Sequence, residues 1–150
     1  MAQNIKYRLL DEEFFPKFVA EFKAFVLETE KHEIEPRFAE HFLMTTIANM
    51  KNPQYLFLLA TIGKKVAGFR LLVPAQGING IPAAAANGIY VTKEHRNKGI
   101  ALKMLDVSKA WAKGKGYKEI YMWQPYENGK WMKRKHFGFS PYKILMKMEV

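Results

Sequence analysis

Cysteine is absent from this chain of 150 residues, which excludes disulfides, thiolate nucleophiles and cysteine-ligated zinc. Serine is nearly absent. Ser108 and Ser140 are the only two, and neither lies in the strand-to-helix elbow that a hydrolase nucleophile requires. The four histidines, His32, His41, His95 and His136, lack metal-ligand spacing. His32-Glu33 opens like a zinc-protease helix, but Pro36 occupies the place of the second histidine. Gly63 to Gly68 has no P-loop lysine, and no GxGxxG fingerprint occurs. No metal is expected. No apolar run is long enough to span a bilayer, and no secretory leader is seen, so no membrane is expected and the chain reads as soluble and cytoplasmic.

Apolar residues make up 49% of the chain, aromatics 14%, which is enough for one buried core. The length predicts a single domain over residues 1–150. The net charge of +10 is uneven. Residues 1–60 carry 7 basic and 9 acidic side chains, whereas residues 61–150 carry 17 and 5. A basic half of this kind attracts a polyanionic cofactor or a nucleic acid, and part of it is simply solvated helix face.

The pattern along the chain predicts a mixed α/β order. Ile5 to Leu10 reads as a strand. Asp11-Glu12-Glu13 forms a helix entrance, and Phe15, Phe18, Phe22, Phe25 and Val26 make an apolar stripe to about Leu27. Residues 28–35 read as a charged connector. Pro36 opens a second helix through Met50, with Phe38, Phe42, Leu43, Ile47 and Met50 directed inward. Tyr55–Ile62 and Val66–Val73 flank the hairpin turn Gly63-Lys64-Lys65, and residues 74–82 read as a loop. The run Ala83 to Ala86 is helix-prone alone, but Asn87-Gly88-Ile89-Tyr90-Val91 behind it favours a strand. Residues 119–124 and 144–150 read as further strands, and Asn128 begins another helix.

The most informative segment runs from Val91 to Ala101. An apolar strand leads into a basic turn, and the turn opens an amphipathic helix with Ala101, Met104, Leu105, Ser108, Trp111 and Ala112 on one stripe. Lys113-Gly114-Lys115-Gly116 ends that helix. The first helical turn offers unpaired N–H groups and the positive end of the macrodipole. Gly99 and Ala101 keep side-chain bulk small there, and Arg96 and Lys98 add charge, so the turn has the chemistry of a pyrophosphate cradle. His95 beside them could touch phosphate or simply be exposed.

Arg96-Asn97-Lys98-Gly99-Ile100-Ala101 resembles the Arg/Gln-x-x-Gly-x-Gly/Ala signature of GNAT-superfamily N-acyltransferases, and Phe137-Gly138-Phe139 resembles the segment that ends that family's last helix. The resemblance covers residues 54–150 well and 1–53 in outline. It implies the GNAT fold, a central, mostly antiparallel twisted sheet flanked by helices, with strands four and five splayed to admit acetyl-CoA as cosubstrate. Main-chain groups of Ile89, Tyr90 and Val91 would pair with pantetheine, and Arg96, Asn97, Lys98, Gly99, Ile100 and Ala101 would hold the pyrophosphate, with Asn128 a further cofactor contact. The implied reaction is direct attack of an amine on the thioester, with a backbone N–H at Tyr90 or Val91 as oxyanion donor.

The family's tyrosine on the last helix is missing, since Arg134 and Lys135 hold its positions. Tyr126 and His136 are the nearest candidates for the proton donor, and each also reads as a structural residue. Glu33, Glu35 and His32 are candidate bases in what also reads as a solvated loop. The acceptor that the resemblance implies is a small-molecule or protein amine. An alternative is a GNAT-like module, altered in catalysis, that binds or modifies nucleic acid, with aromatics and lysines interleaved from Trp123 through Trp131 to Tyr142. A homodimer stands open beside a monomer.

Overall fold

The computed structural model describes residues 4–30, 32–77 and 79–122. In order these form β1 (Ile5–Leu9), α1 (Phe15–Glu30), α2 (Pro36–Asn49), β2 (Leu56–Ile62), β3 (Lys65–Gln76), β4 (Pro82–Val91), a 3-10 turn at Lys93–His95, α3 (Ile100–Gly114) and β5 (Glu119–Met122). The five strands lie in sequence order; the first four pair antiparallel, and β4 and β5 are parallel because α3 crosses over between them. This is a mixed α/β fold.

The sheet is apolar on both faces because helices cover both. Phe57 and Leu59 of β2, with Val66, Phe69 and Leu71 of β3, face Phe14, Phe18 and Phe22. Leu56, Leu58 and Ala60, with Ala67, Leu72, Ala84 and Ala86, face Ile100 and Met104 of α3. The phenylalanine stripe of α1 packs on Phe69, edge-on to Phe18 at 5.4 Å and to Phe25 at 5.5 Å, and Phe22 stacks on Phe42 of α2 at 3.9 Å. Arg70 is fully buried on the α3 face, opposite Leu58 and Ile89.

Helix starts follow local chemistry. Asp11 Oδ1 accepts from the Phe14 N–H at 3.0 Å ahead of α1, and Glu35 caps α2 by accepting from the Phe38 N–H at 2.8 Å, with Pro36 inside the first turn.

Three expectations need correction. Residues 74–82 are not one loop: β3 continues to Gln76 and pairs with β4 down to Pro82. Pro74 is tolerated because β2 pairs only as far as Leu72, so from Val73 onward β3 is an edge on that side and needs no donor there. α1 extends through Glu30, which puts Glu28 in its last turn rather than in a connector. Phe38 and Ile47 of α2 are exposed, and Thr46 is buried instead, its hydroxyl donating to the Phe42 carbonyl at 2.8 Å. A satisfied hydroxyl can take an inward position that a simple apolar count denies it. The readings at residues 123–150, including the strand at 144–150, lie outside the described residues.

Phe18→Ala should lower stability by about 3–5 kcal/mol, because it removes a fully buried ring at the centre of the aromatic cluster. Ile47→Ala should stay within about 0.5 kcal/mol. Urea unfolding of the two variants checks both, and a large loss at Ile47 would contradict its exposed placement.

Candidate functional site: the end of β4 and the entrance of α3

β4 changes side-chain parity partway along. Leu72 pairs with Ala86 and Leu71 with Gly88, so Asn87 is an extra residue in the β4 backbone, a β-bulge. Before it, Ala84 and Ala86 face α3; after it, Ile89 and Val91 face α3 while Tyr90 faces α1. Gly88 falls under Phe25, where a Cβ would lie 3.1 Å from the ring.

β5 accompanies β4 only from Ala83 to Ala86. β4 runs on to Val91, and among the described residues nothing pairs with that extension on the β5 side. The Thr92 N–H donates to the Ala67 carbonyl at 2.9 Å. By the alternation of an antiparallel ladder, Tyr90 also presents its main-chain groups to β3, and Ile89 and Val91 present theirs to the open side.

The turn after β4 is tied internally. Thr92 Oγ1 and His95 Nδ1 are 2.8 Å apart, and the His95 N–H donates to the Thr92 carbonyl at 2.9 Å. His95 is buried, so its ring braces the turn and does not present itself to a ligand. Asn97 and Gly99 both have positive φ, 63° and 80°. These left-handed steps swing the chain into α3, and glycine takes the second without Cβ strain. Nothing lies within 4 Å of a Cβ built at Gly99.

α3 begins with no side-chain cap and no acidic residue in its first turn. That contrasts with α2, which Glu35 caps. Ile100 is buried and anchors the helix, Ala101 is half-buried, and Asn97 and Lys98 are exposed. The entrance therefore offers amides from Gly99 onward with only small or outward-facing side chains beside them, which fits a doubly charged diphosphate.

Arg96 does not add its charge to that entrance as the motif suggested. Its Nε donates to the Val91 carbonyl at 2.8 Å, and its Nη2 donates to Glu28 Oε2 at 2.8 Å. The guanidinium carbon lies 5.5 Å from the Tyr90 ring centre. The hydrogen bond from Arg96 holds the Glu28 carboxyl below its ordinary range, against partial burial, with Tyr90 and Lys93 contributing. Burial raises the Tyr90 phenol, and the Glu28 charge adds to the effect. Glu21, one heptad before Glu28, is raised by burial and then by Glu94.

Ile89, Tyr90, Val91 and residues 96–101 are thus brought together around one strand end. Tyr126, His136 and Asn128 lie outside the described residues. Glu28 and the Asn87 bulge escaped the sequence reading. For Glu28 the signal was there: Glu21 and Glu28 border the inward stripe beside Phe25, a place where an acid needs a partner.

Among the described residues, a strand edge without a partner leads to an uncapped helix entrance, an arrangement that could hold an extended, diphosphate-bearing group. The model of the acetyltransferase (GNAT) family matches residues 9–139. The chain belongs to that family. No curated protein matches it. Among solved structures it is similar to the aminoglycoside N-acetyltransferase AAC(6')-Iy in complex with CoA, at 15% identity and TM-score 0.79, covering 100% of this chain and 97% of that one. It is also similar to a Clostridium acetobutylicum protein described as a predicted acetyltransferase and solved with acetyl-CoA, at 14% identity and TM-score 0.78, with 97% and 96% covered. A ribosomal-protein-alanine N-acetyltransferase of Brucella melitensis aligns at 18% identity and TM-score 0.68, with 98% and 99% covered. At these identities the likeness establishes the GNAT fold.

The ion pair makes stability pH-dependent with a definite sign. A carboxyl lowered by folding stabilises fully above its unfolded pKa, and that contribution is lost as pH falls through the folded value. Glu28→Gln should therefore be less stable than wild type at neutral pH, with the gap closing in acid below the ordinary glutamate range. Urea titrations of both proteins across that range check this; a gap that is constant with pH would contradict it.

Proposed function

We propose that the protein is an N-acetyltransferase that moves an acetyl group from acetyl-CoA to an amine by direct attack. The observation that carries this reading is the α3 entrance, uncapped and free of acids behind a left-handed glycine, set next to the open edge of β4. Amides of residues 97–101 would receive the pyrophosphate, and the exposed Lys98 would add charge nearby.

From there the pantetheine arm would run back along β4, pairing with the outward N–H and C=O of Ile89 and the N–H of Val91. The Val91 carbonyl is already taken by Arg96. The thioester then reaches the point where β5 rejoins β4, beside the bulge at residues 87–88. A bulge leaves a backbone group off the ladder, so this is the natural place for an N–H aimed at the developing oxyanion. That shifts the donor from Tyr90 or Val91 toward the bulge, and Tyr90 is disfavoured in any case because its N–H faces β3.

The acceptor amine attacks once neutral, the carbon–sulfur bond breaks, and the thiolate leaves with a proton gained from an acid or from water. No covalent enzyme intermediate is required, which suits a chain without cysteine. Tyr126 and His136 remain the proposed proton donors.

Calorimetric titration with acetyl-CoA, CoA and ATP tests the reading. Wild type should bind the two CoA compounds selectively in the micromolar range, and Gly99→Glu should abolish that binding by placing a carboxylate at the cradle. Gly99→Ala is the control: its Cβ meets nothing, so it should cost only about 1–2 kcal/mol of backbone strain. No heat with either CoA compound would overturn the acetyltransferase reading and turn attention to nucleic acid.

A further inference from the structure

Arg96 occupies the first position of the cofactor motif, yet its guanidinium is committed inward. Glu28, which receives it, is 68 residues earlier in the chain and belongs to a different helix. The same carboxylate also meets the Tyr90 hydroxyl. Arg96 in turn fixes the carbonyl of Val91, the last residue of β4. Its own backbone begins the turn that supplies the helix-entrance amides. Val91 and the turn are thereby linked to α1 through two side chains, both about two-thirds buried.

We infer that Glu28 and Arg96 form a strut that positions the cofactor cradle: Glu28 holds Arg96, Arg96 holds the Val91 carbonyl, and neither side chain touches the cofactor. Both are positioning residues. The inference rests on the acyl-CoA reading above and deepens it, because it assigns the motif arginine a role other than phosphate contact.

Two roles for Arg96 predict opposite signs at Glu28. If Arg96 bound phosphate, Glu28 would compete for its guanidinium, and removing Glu28 would tighten acetyl-CoA binding. If Glu28 and Arg96 are a strut, removing Glu28 frees the guanidinium to swing, loosens the Val91 peptide and weakens binding. Part of the pair is solvated, which limits the effect to the lower end of a charge-assisted hydrogen bond.

The experiment is titration of acetyl-CoA into wild type, Glu28→Ala, Arg96→Gln, Arg96→Lys and the Glu28→Ala/Arg96→Gln double variant, each shown by thermal unfolding to be folded. Glu28→Ala and Arg96→Gln should each weaken binding by about three- to tenfold. The double variant should be little worse than either single one, since both changes break the same link. Arg96→Lys keeps the charge but lacks the paired Nε and Nη2 donors, so it should not restore affinity. The salt dependence of binding should be unchanged throughout, because no side-chain contact to phosphate is lost.

Tighter binding by Glu28→Ala, full rescue by lysine, or additive losses would each overturn the strut. Ligand-free protein gives a separate readout: amide NMR resonances of residues 91–101 should move in Glu28→Ala although position 28 is remote in sequence. Unmoved resonances would overturn the strut as well. Wild type that fails to bind acetyl-CoA would instead overturn the acetyltransferase reading, while the NMR comparison would still decide the strut.

Discussion

β4 pairs with β3 along its whole length but, among the described residues, with β5 only as far as Ala86, and the extra residue at Asn87 marks the change. One inserted residue flips every later side chain to the other face. Without the flip, Tyr90 would point at α3, and the large Ile89 and Val91 would crowd the aromatic cluster under α1. With it, Tyr90 meets Glu28 and Arg96, Gly88 leaves room for Phe25, and the α3 face receives Ile89 and Val91. β5 pairs with Ala83 to Ala86 on one side of the bulge. Beyond it, the main-chain groups of Ile89 and Val91 on that side have no strand partner among the described residues.

A site made of main-chain groups places few demands on sequence. What it requires is a bulge, a left-handed step into a helix, and a helix entrance with neither cap nor acid. Many side-chain combinations satisfy those requirements. The aromatic cluster of Phe18, Phe22, Phe42 and Phe69 holds α1 and α2 on the sheet. Family membership lies in the backbone path; the acceptor lies in side chains that the backbone does not dictate.

What the sequence disclosed follows the same division. Periodicity found β2, the hairpin, the α1 stripe and the α3 stripe, because burial there is one-sided or continuous over many residues. The left-handed step into α3 was legible because glycine, here Gly99, takes it most readily. Phe38 and Ile47 misled because an apolar residue on a helix can remain exposed, and Thr46 misled because an internal hydrogen bond hides a hydroxyl's polarity. Pro74 misled because whether proline breaks a strand depends on which neighbour that strand has, which is tertiary information. The Glu28–Arg96 pair was out of reach as a contact, since only the fold brings together residues 68 apart. The bulge left one trace, a change of parity between Ala84/Ala86 and Ile89/Val91 across Asn87-Gly88.

The charge asymmetry takes on a different meaning in this light. The acidic first half and basic second half suggested a field waiting for a polyanion, yet the motif's own arginine is neutralised by an acid from the first half. A guanidinium at the cradle would have to be stripped of water each time an anion bound. Helix-entrance amides carry partial charges that are already aligned by the backbone and need no rearrangement to meet an anion. A partly solvated pair of this kind also serves geometry more than net stability, since screening and desolvation offset much of its attraction. On the proposed reading the arginine and its acid would supply shape, the amides recognition, and the exposed lysines, Lys98 among them, the longer-range field that draws an anion in.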